Sequence, residues 1–216
     1  SPYAYCHNNP VNRIDPDGRD DYYSVGGQFL FRDSKKTDRI IIRDLVSYST
    51  KQQGWEFGPN PDTPIEQTVL SAEAYSKIFT NILSEMKDVD IYLLHNQSVS
   101  VVVSPNDYDI ESTFNDPYSA FSSEGVVNAA TQQLNGVKKI TACINYLGAS
   151  DNRKLFATLS NVQNLLGVHE YIGHGVKGWS GSNHKLVYKN QFKHPSWKRT
   201  TGYFKRQELS NYQKVK

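Results

Sequence analysis

Cysteine is scarce in this chain: two occur among 216 residues, Cys6 in a polar, turn-rich stretch and Cys143 in an alternating apolar one. A disulfide framework is thereby excluded, and both are expected as free thiols. Long apolar runs are lacking too. The longest, such as Val101-Val102-Val103, have strand length, far short of the roughly 20 apolar residues of a membrane span. No basic, then apolar, then small-residue series opens the sequence; the first residues read as the interior of a longer protein. Internal repeats and low-complexity tracts are also absent. Acidic residues are rare near the C-terminus, where the 42 residues after His174 hold one, Glu208. This argues against a carboxylate-rich magnesium site in that region.

What is present fits a folded protein. Hydrophobic residues make up 38% and charged ones 21%, so neither disorder nor a membrane protein is expected, and the length suits one domain with or without an appendage. The net charge of +2 hides an asymmetry. From Lys185 to Lys216, nine cations face one acid, so this segment carries +8 and the rest of the chain −6. Such a tail suits an acidic partner or nucleic acid, or else it forms a solvated helix face. The 14 Tyr are expected in core and surface rather than as a platform for stacked bases.

Periodicity sets out the elements. Tyr22 to Arg32 reads as two strands around a Gly26-Gly27 turn, and Arg39 to Arg43 as a short strand. Lys51 to Pro64, with its Pro and Gly, is expected to be a loop. A helix is predicted from Ser71, because Tyr75, Ile78, Phe79, Ile82, Leu83 and Met86 share one face. Ile91 to Leu94 and Val99 to Val103 read as strands of a hairpin, Pro105 to Pro117 as a loop, and Glu124 to Leu134 as a short helix closed by Gly136. Ile140, Ala142, Ile144 and Tyr146 alternate as a strand with one apolar face. Ser160 or Asn161 is expected to cap a helix leading into His169, and a further helix covers His184 to Lys193, stopped by Pro195.

The histidines carry the chemistry. Four of six, His169, His174, His184 and His194, fall within 26 residues, where an even spread would place about one. Glu170 follows His169 directly, and His174 lies five positions after His169. In zincins the second His comes four positions on, so that two imidazoles share a face and the Glu between them reaches the metal-bound water. Five residues leave the rings about 140° apart on an ideal α-helix. A π-turn of about 4.4 residues brings them back to within roughly 50°, and Gly173 makes that adjustment cheaper.

His169-Glu170-Tyr171-Ile172-Gly173-His174-Gly175 resembles the His-Glu-x-x-Gly-His-Gly zinc helix of the dipeptidyl peptidase III family. The resemblance covers seven residues. It implies Zn²⁺ as cofactor, His169 and His174 as ligands, and Glu170 as general base; the fold expected for the chain is α+β and zincin-like, with a small mixed or antiparallel sheet packed on the active-site helix and a further helix after it. That family's third ligand lies in a Glu-Glu-Cys-Arg type motif that this chain lacks. The candidates for it here are His184, His194 and Glu208. His184 is favoured, because Gly175, Gly178 and Gly181 let the chain turn back, as in the similar return before the third His of metzincins. Tyr188, one turn beyond His184, is placed to stabilise an oxyanion. Cys143 is a nucleophile candidate, although its alternating surroundings favour a buried structural thiol.

Residues 1–19 resemble the end of an Rhs-repeat core, where a Tyr-containing Asn-Asn-Pro stretch runs into Asp-Pro-x-Gly, here Asp15 to Gly18. The resemblance implies a boundary there, with residues 20–216 as a toxin domain enclosed by the parent Rhs core shell and freed by self-cleavage. It further implies delivery into a target cell by a secretion system and a cognate immunity protein as partner. A protein or peptide substrate is expected, with no membrane partner. Two alternatives stand beside the peptidase: a metal-dependent nuclease, given the basic C-terminus, and a binding module with structural zinc, which the lack of a nearby Cys disfavours.

Overall fold

The computed structural model describes residues 19–43, 45–49, 54–57, 62–90, 99–106, 128–134 and 137–215. The Rhs-like segment 1–18, the strand expected over Ile91 to Leu94 and most of the loop expected over Pro105 to Pro117 lie outside them.

The chain is an α+β fold with small mixed sheets. Strands β1 (Asp21–Ser24) and β2 (Phe29–Arg32) form the expected hairpin. Gly27, at φ 81° in its turn, sits so close to the Ala74 backbone that a Cβ would clash. Strand β3 (Ile40–Arg43) pairs parallel to β1, and β6 (Thr63–Pro64) closes a four-stranded sheet in the order β2-β1-β3-β6. Strands β4 (Leu45–Ser49) and β5 (Gly54–Phe57) pair by themselves, so the expected loop from Lys51 to Pro64 in fact contains strand β5 and strand β6. Pairing between segments outweighs the turn-forming residues there.

Helix α1 (Ala72–Ser84) starts where its sequence signals it, with the Ser71 hydroxyl accepting from the Ala74 N–H at 3.1 Å. Its predicted face, Tyr75, Ile78, Phe79, Ile82 and Leu83, is fully buried and forms the centre of one continuous core.

The second sheet frames the candidate site. Its order is β7-β9-β8, with β7 (Ser100–Ser104) parallel and β8 (Ala129–Leu134) antiparallel to the central β9 (Val137–Asn145). The helix expected over Glu124 to Leu134 is therefore corrected to a strand over its described part. Leu134 pairs with Val137, and the two residues between them in the sequence are Asn135-Gly136, a two-residue hairpin signature. Over residues 140–145 strand β9 is buried on both faces, not one: Thr141 and Cys143 are as hidden as Ala142 and Ile144.

The C-terminal third is helical. Helix α2 (Leu159–Val162) is capped by Thr158, whose hydroxyl accepts from the Asn161 N–H at 3.2 Å, so the cap precedes the expected Ser160 or Asn161. Helix α2 continues without a break into a π-helix, Gln163–Val176. Then come α3 (His184–Lys193), a 3₁₀ turn opened by Pro195, and α4 (Gly202–Lys214). The π-helix packs against β8, β9, α1 and α3. No helix among the described residues is long and apolar enough to cross a membrane.

Candidate metal centre

The π-helix carries unusually many buried polar groups: Gln163, Asn164, His169 and Glu170 are all at most 5% exposed, as are Ser160 and Asn161 just before it. Burial favours pairing of polar groups, and two of the pairings made here fix the later helices. Asn161 donates to Thr201 Oγ1 at 3.2 Å and accepts from the Thr201 N–H at 3.0 Å, which ties the N-cap of α4 to α2, just ahead of the π-helix. Asn164 donates to the Gln191 carbonyl at 3.2 Å and to Ser196 Oγ at 2.9 Å, which holds the end of α3. His184 and Glu208 are thus carried on helices pinned to the helix that bears His169 and His174.

Gly173 sets how closely α3 approaches. A Cβ there would lie 2.6 Å from Val187 Cγ1, so only glycine admits α3 at this distance. The residue expected to ease the π geometry therefore also acts as a packing notch.

Histidines 169, 174 and 184 converge, each offering one ligand nitrogen, with all three nitrogens within 4.8 Å of one another. Their ring centroids are 4.8 to 5.3 Å apart. This is possible because the backbone between His169 and His174 is π-helical; at about 4.4 residues per turn the pair returns to one side of the helix. A tetrahedral ion held at about 2.0–2.1 Å keeps its nitrogens about 3.3 Å apart. His169 Nε2 and His184 Nε2 already stand at 3.2 Å. His174 Nδ1 faces the Trp179 carbonyl at 2.6 Å, which can only accept, so His174 donates there and presents a bare Nε2. His169 Nδ1 is 3.0 Å from Gln191 Oε1.

Protonation suits ligation. Burial, then the neighbouring His174, pushes His169 well below the ordinary histidine range. Burial lowers His174, and burial with His174 beside it takes His184 down to about 4. All three imidazoles are neutral at pH 7, the form in which they bind metals. Three nitrogen donors of borderline softness fit a transition ion better than magnesium or calcium.

Glu170 is buried on the same helix, its Oε2 accepting from Thr131 Oγ1 of β8 at 2.9 Å. Burial raises its carboxyl to about 7, the Thr131 hydrogen bond working against that rise. Tyr188 forms a wall of the centre. Its ring stacks on His184 at 5.1 Å and meets His169 edge-on at 4.7 Å, and burial, Glu208 and Glu170 in that order raise its hydroxyl above the usual range.

The remaining candidates for a third ligand fall elsewhere. His194 lies at the end of α3, where its Nδ1 accepts from the Ser196 N–H at 3.2 Å and its Nε2 is 3.6 Å from Asp88. Glu208 comes within 4.0 Å of His169, on the Nδ1 side, and accepts from Gln191 Nε2 at 2.8 Å. Cys143 is fully buried and its thiol is raised to about 12, chiefly by burial and then by Glu170, as suits a structural residue rather than a nucleophile.

Thr131, Trp179 and Gln191 were not singled out from the sequence. Gln191 was within reach of that reasoning: His184, Tyr188 and Gln191 follow i, i+4, i+7 on one face of α3. Thr131 was hidden by the helix expected over β8, and a backbone carbonyl such as that of Trp179 leaves no trace in residue type. No family model matches the chain, and comparison with curated proteins and with solved structures finds no match.

Proposed function

We propose that this protein is a zinc-dependent hydrolase of zincin-like design, a metallopeptidase serving as the toxin domain of an Rhs-type effector delivered into target cells. The observation that carries the reading is the convergence of His169, His174 and His184, the first two on a π-helix that also bears the buried Glu170 and whose geometry makes a five-residue spacing fit for chelation. His169, His174 and His184 would hold the ion. Zinc, when bound, supplies Lewis acidity, polarising a carbonyl and lowering the pKa of water towards 7.

The chain's own residues do the rest. Glu170 Oε1 and Oε2 take a proton from the attacking water and return it to the leaving amine, a task suited to a carboxyl poised near neutrality. Thr131 Oγ1 orients that carboxylate through its 2.9 Å hydrogen bond. Tyr188 presents a hydroxyl that stays protonated at pH 7, a donor for the oxyanion, and its ring excludes water from the His184 side.

The test is direct. Elemental analysis of the purified domain should find about one zinc per chain, lost in His169→Ala and in His184→Ala. Glu170→Gln should keep the zinc while activity on peptides and toxicity fall by about 10²- to 10⁴-fold. Full toxicity of Glu170→Gln would remove the hydrolase mechanism, and a metal-free wild type would remove the centre.

A further inference from the structure

We propose that Gln191, oriented by Glu208, is the positioning residue of this centre: it fixes His169 in the tautomer that turns a bare Nε2 towards His174 and His184. The inference rests on the reading of the three histidines as a metal centre, and it assigns a role to two buried groups that the hydrolase chemistry leaves unused.

The argument is one of hydrogen-bond direction. Gln191 is 0% exposed and Glu208 2% exposed, so neither has water to satisfy it. Glu208 accepts from both sides: Gln191 Nε2 at 2.8 Å meets Oε2, and Asn211 Nδ2 at 3.5 Å meets Oε1. With its amide nitrogen donating to Glu208 Oε2, Gln191 turns its carbonyl oxygen to His169 Nδ1 at 3.0 Å. A carbonyl oxygen cannot donate, so the ring proton must sit on Nδ1 and the lone pair on Nε2. That Nε2 is the atom 3.2 Å from His184 Nε2. The chain Glu208, Gln191, His169 thus does with an amide relay what a directly bonded carboxylate does for many metal-ligating histidines.

The backbone supports the same assignment. The Gln191 carbonyl is held by Asn164 Nδ2 at 3.2 Å, so the residue that orients His169 is itself anchored to the helix bearing His169. Glu208 is the one acid between Lys185 and Lys216, and it faces inward among nine cations, where a surface role would have left it exposed.

The test reads the tautomer before it reads the metal. In metal-free protein labelled with ¹⁵N-histidine, two-bond ¹H–¹⁵N correlation should show His169 protonated on Nδ1. In Gln191→Met, of similar volume with no donor or acceptor amide, that signature should be lost, and zinc affinity should fall about 10- to 100-fold. The exchanged pair Gln191→Glu with Glu208→Gln restores an acceptor opposite Nδ1 and a donor behind it. It should recover both the tautomer and most of the zinc affinity, a recovery that mere packing would not produce. A wild type with His169 protonated on Nε2 overturns the proposal without any variant being needed. So does a Gln191→Met protein that keeps the Nδ1–H tautomer and binds zinc within twofold of wild type. Should wild type show the Nδ1–H tautomer yet take up no zinc, the metal centre fails while the orienting role of Gln191 stands.

Discussion

At the scale of single residues, the three histidines differ in what holds them. His174 is fixed by a backbone carbonyl, His169 by a side-chain amide, and His184 by ring contacts with Tyr188 and its two partners. Their common feature is burial that disfavours the imidazolium. An ordinary histidine, with a pKa near 6.5, is roughly 90% protonated at pH 5.5, whereas His184, at about 4, remains almost wholly neutral. Because a depressed pKa means that protons compete with the metal only at lower pH, zinc should stay bound from pH 7.5 down to about 5.5 and leave as pH falls through 4 to 5. Equilibrium dialysis across that range checks this; release by half at pH 6.5 would show that the ligands titrate as exposed histidines do. Cys143 gives a second residue-scale expectation. Its thiol, raised to about 12 in a fully buried site, should not react with Ellman's reagent at pH 8 in a Cys6→Ser background until denaturant is added. Rapid labelling of the native protein would contradict its placement on the central strand.

At the scale of elements, the site depends on how α3 lies against the π-helix, and Gly173 is where the two meet. A methyl group there would stand 2.6 Å from Val187 Cγ1. Gly173→Ala should therefore cost about 1–3 kcal/mol through overpacking and weaken zinc binding by moving His184 outward. Adding Val187→Ala should recover metal affinity by reopening the space, which thermal melts and zinc titrations of the single and double variants would check. The same contact shows what could be read beforehand and what could not. The i, i+5 spacing of His169 and His174, with the demand that both reach one ion, was enough to predict a departure from α geometry, and the structure has it. Helix α1 was equally plain, since six apolar residues at helical spacing follow a capping serine. Strand β8 was not. Ala129 to Leu134 has no strong alternation of its own, and its state is decided by pairing with β9, a contact that local propensity does not contain. Thr131 was lost with it. Asn161 was read only as a helix cap and Asn164 not at all, because their value comes from Thr201 and Gln191, 40 and 27 residues away.

At the scale of the whole molecule, charge is sorted along the chain. The segment from Lys185 to Lys216 carries +8 on a body of −6, and its one acid, Glu208, is buried, so α3, the 3₁₀ turn and α4 themselves present cations but no carboxylate side chain, the exposed Asp88 approaching them at His194. A field of this sign beside the three-histidine cluster draws anionic partners and speeds their encounter, with a strong dependence on salt. On the proposed function such a surface would suit an acidic immunity protein covering the site in the producing cell; on the nuclease alternative it would suit the phosphate backbone of a nucleic acid substrate. The two separate cleanly in one set of measurements. On the peptidase reading, purified domain with zinc leaves DNA and RNA intact, and Lys189→Glu with Lys193→Glu weakens capture of the immunity protein while peptide hydrolysis persists. Binding to nucleic acid, where it occurs, should then be weak and fall steeply between 50 and 200 mM salt, by about 10³-fold or more if six phosphates are contacted. Degradation of nucleic acid that disappears in His169→Ala would instead make the cationic surface a substrate track and the three-histidine centre a phosphodiesterase.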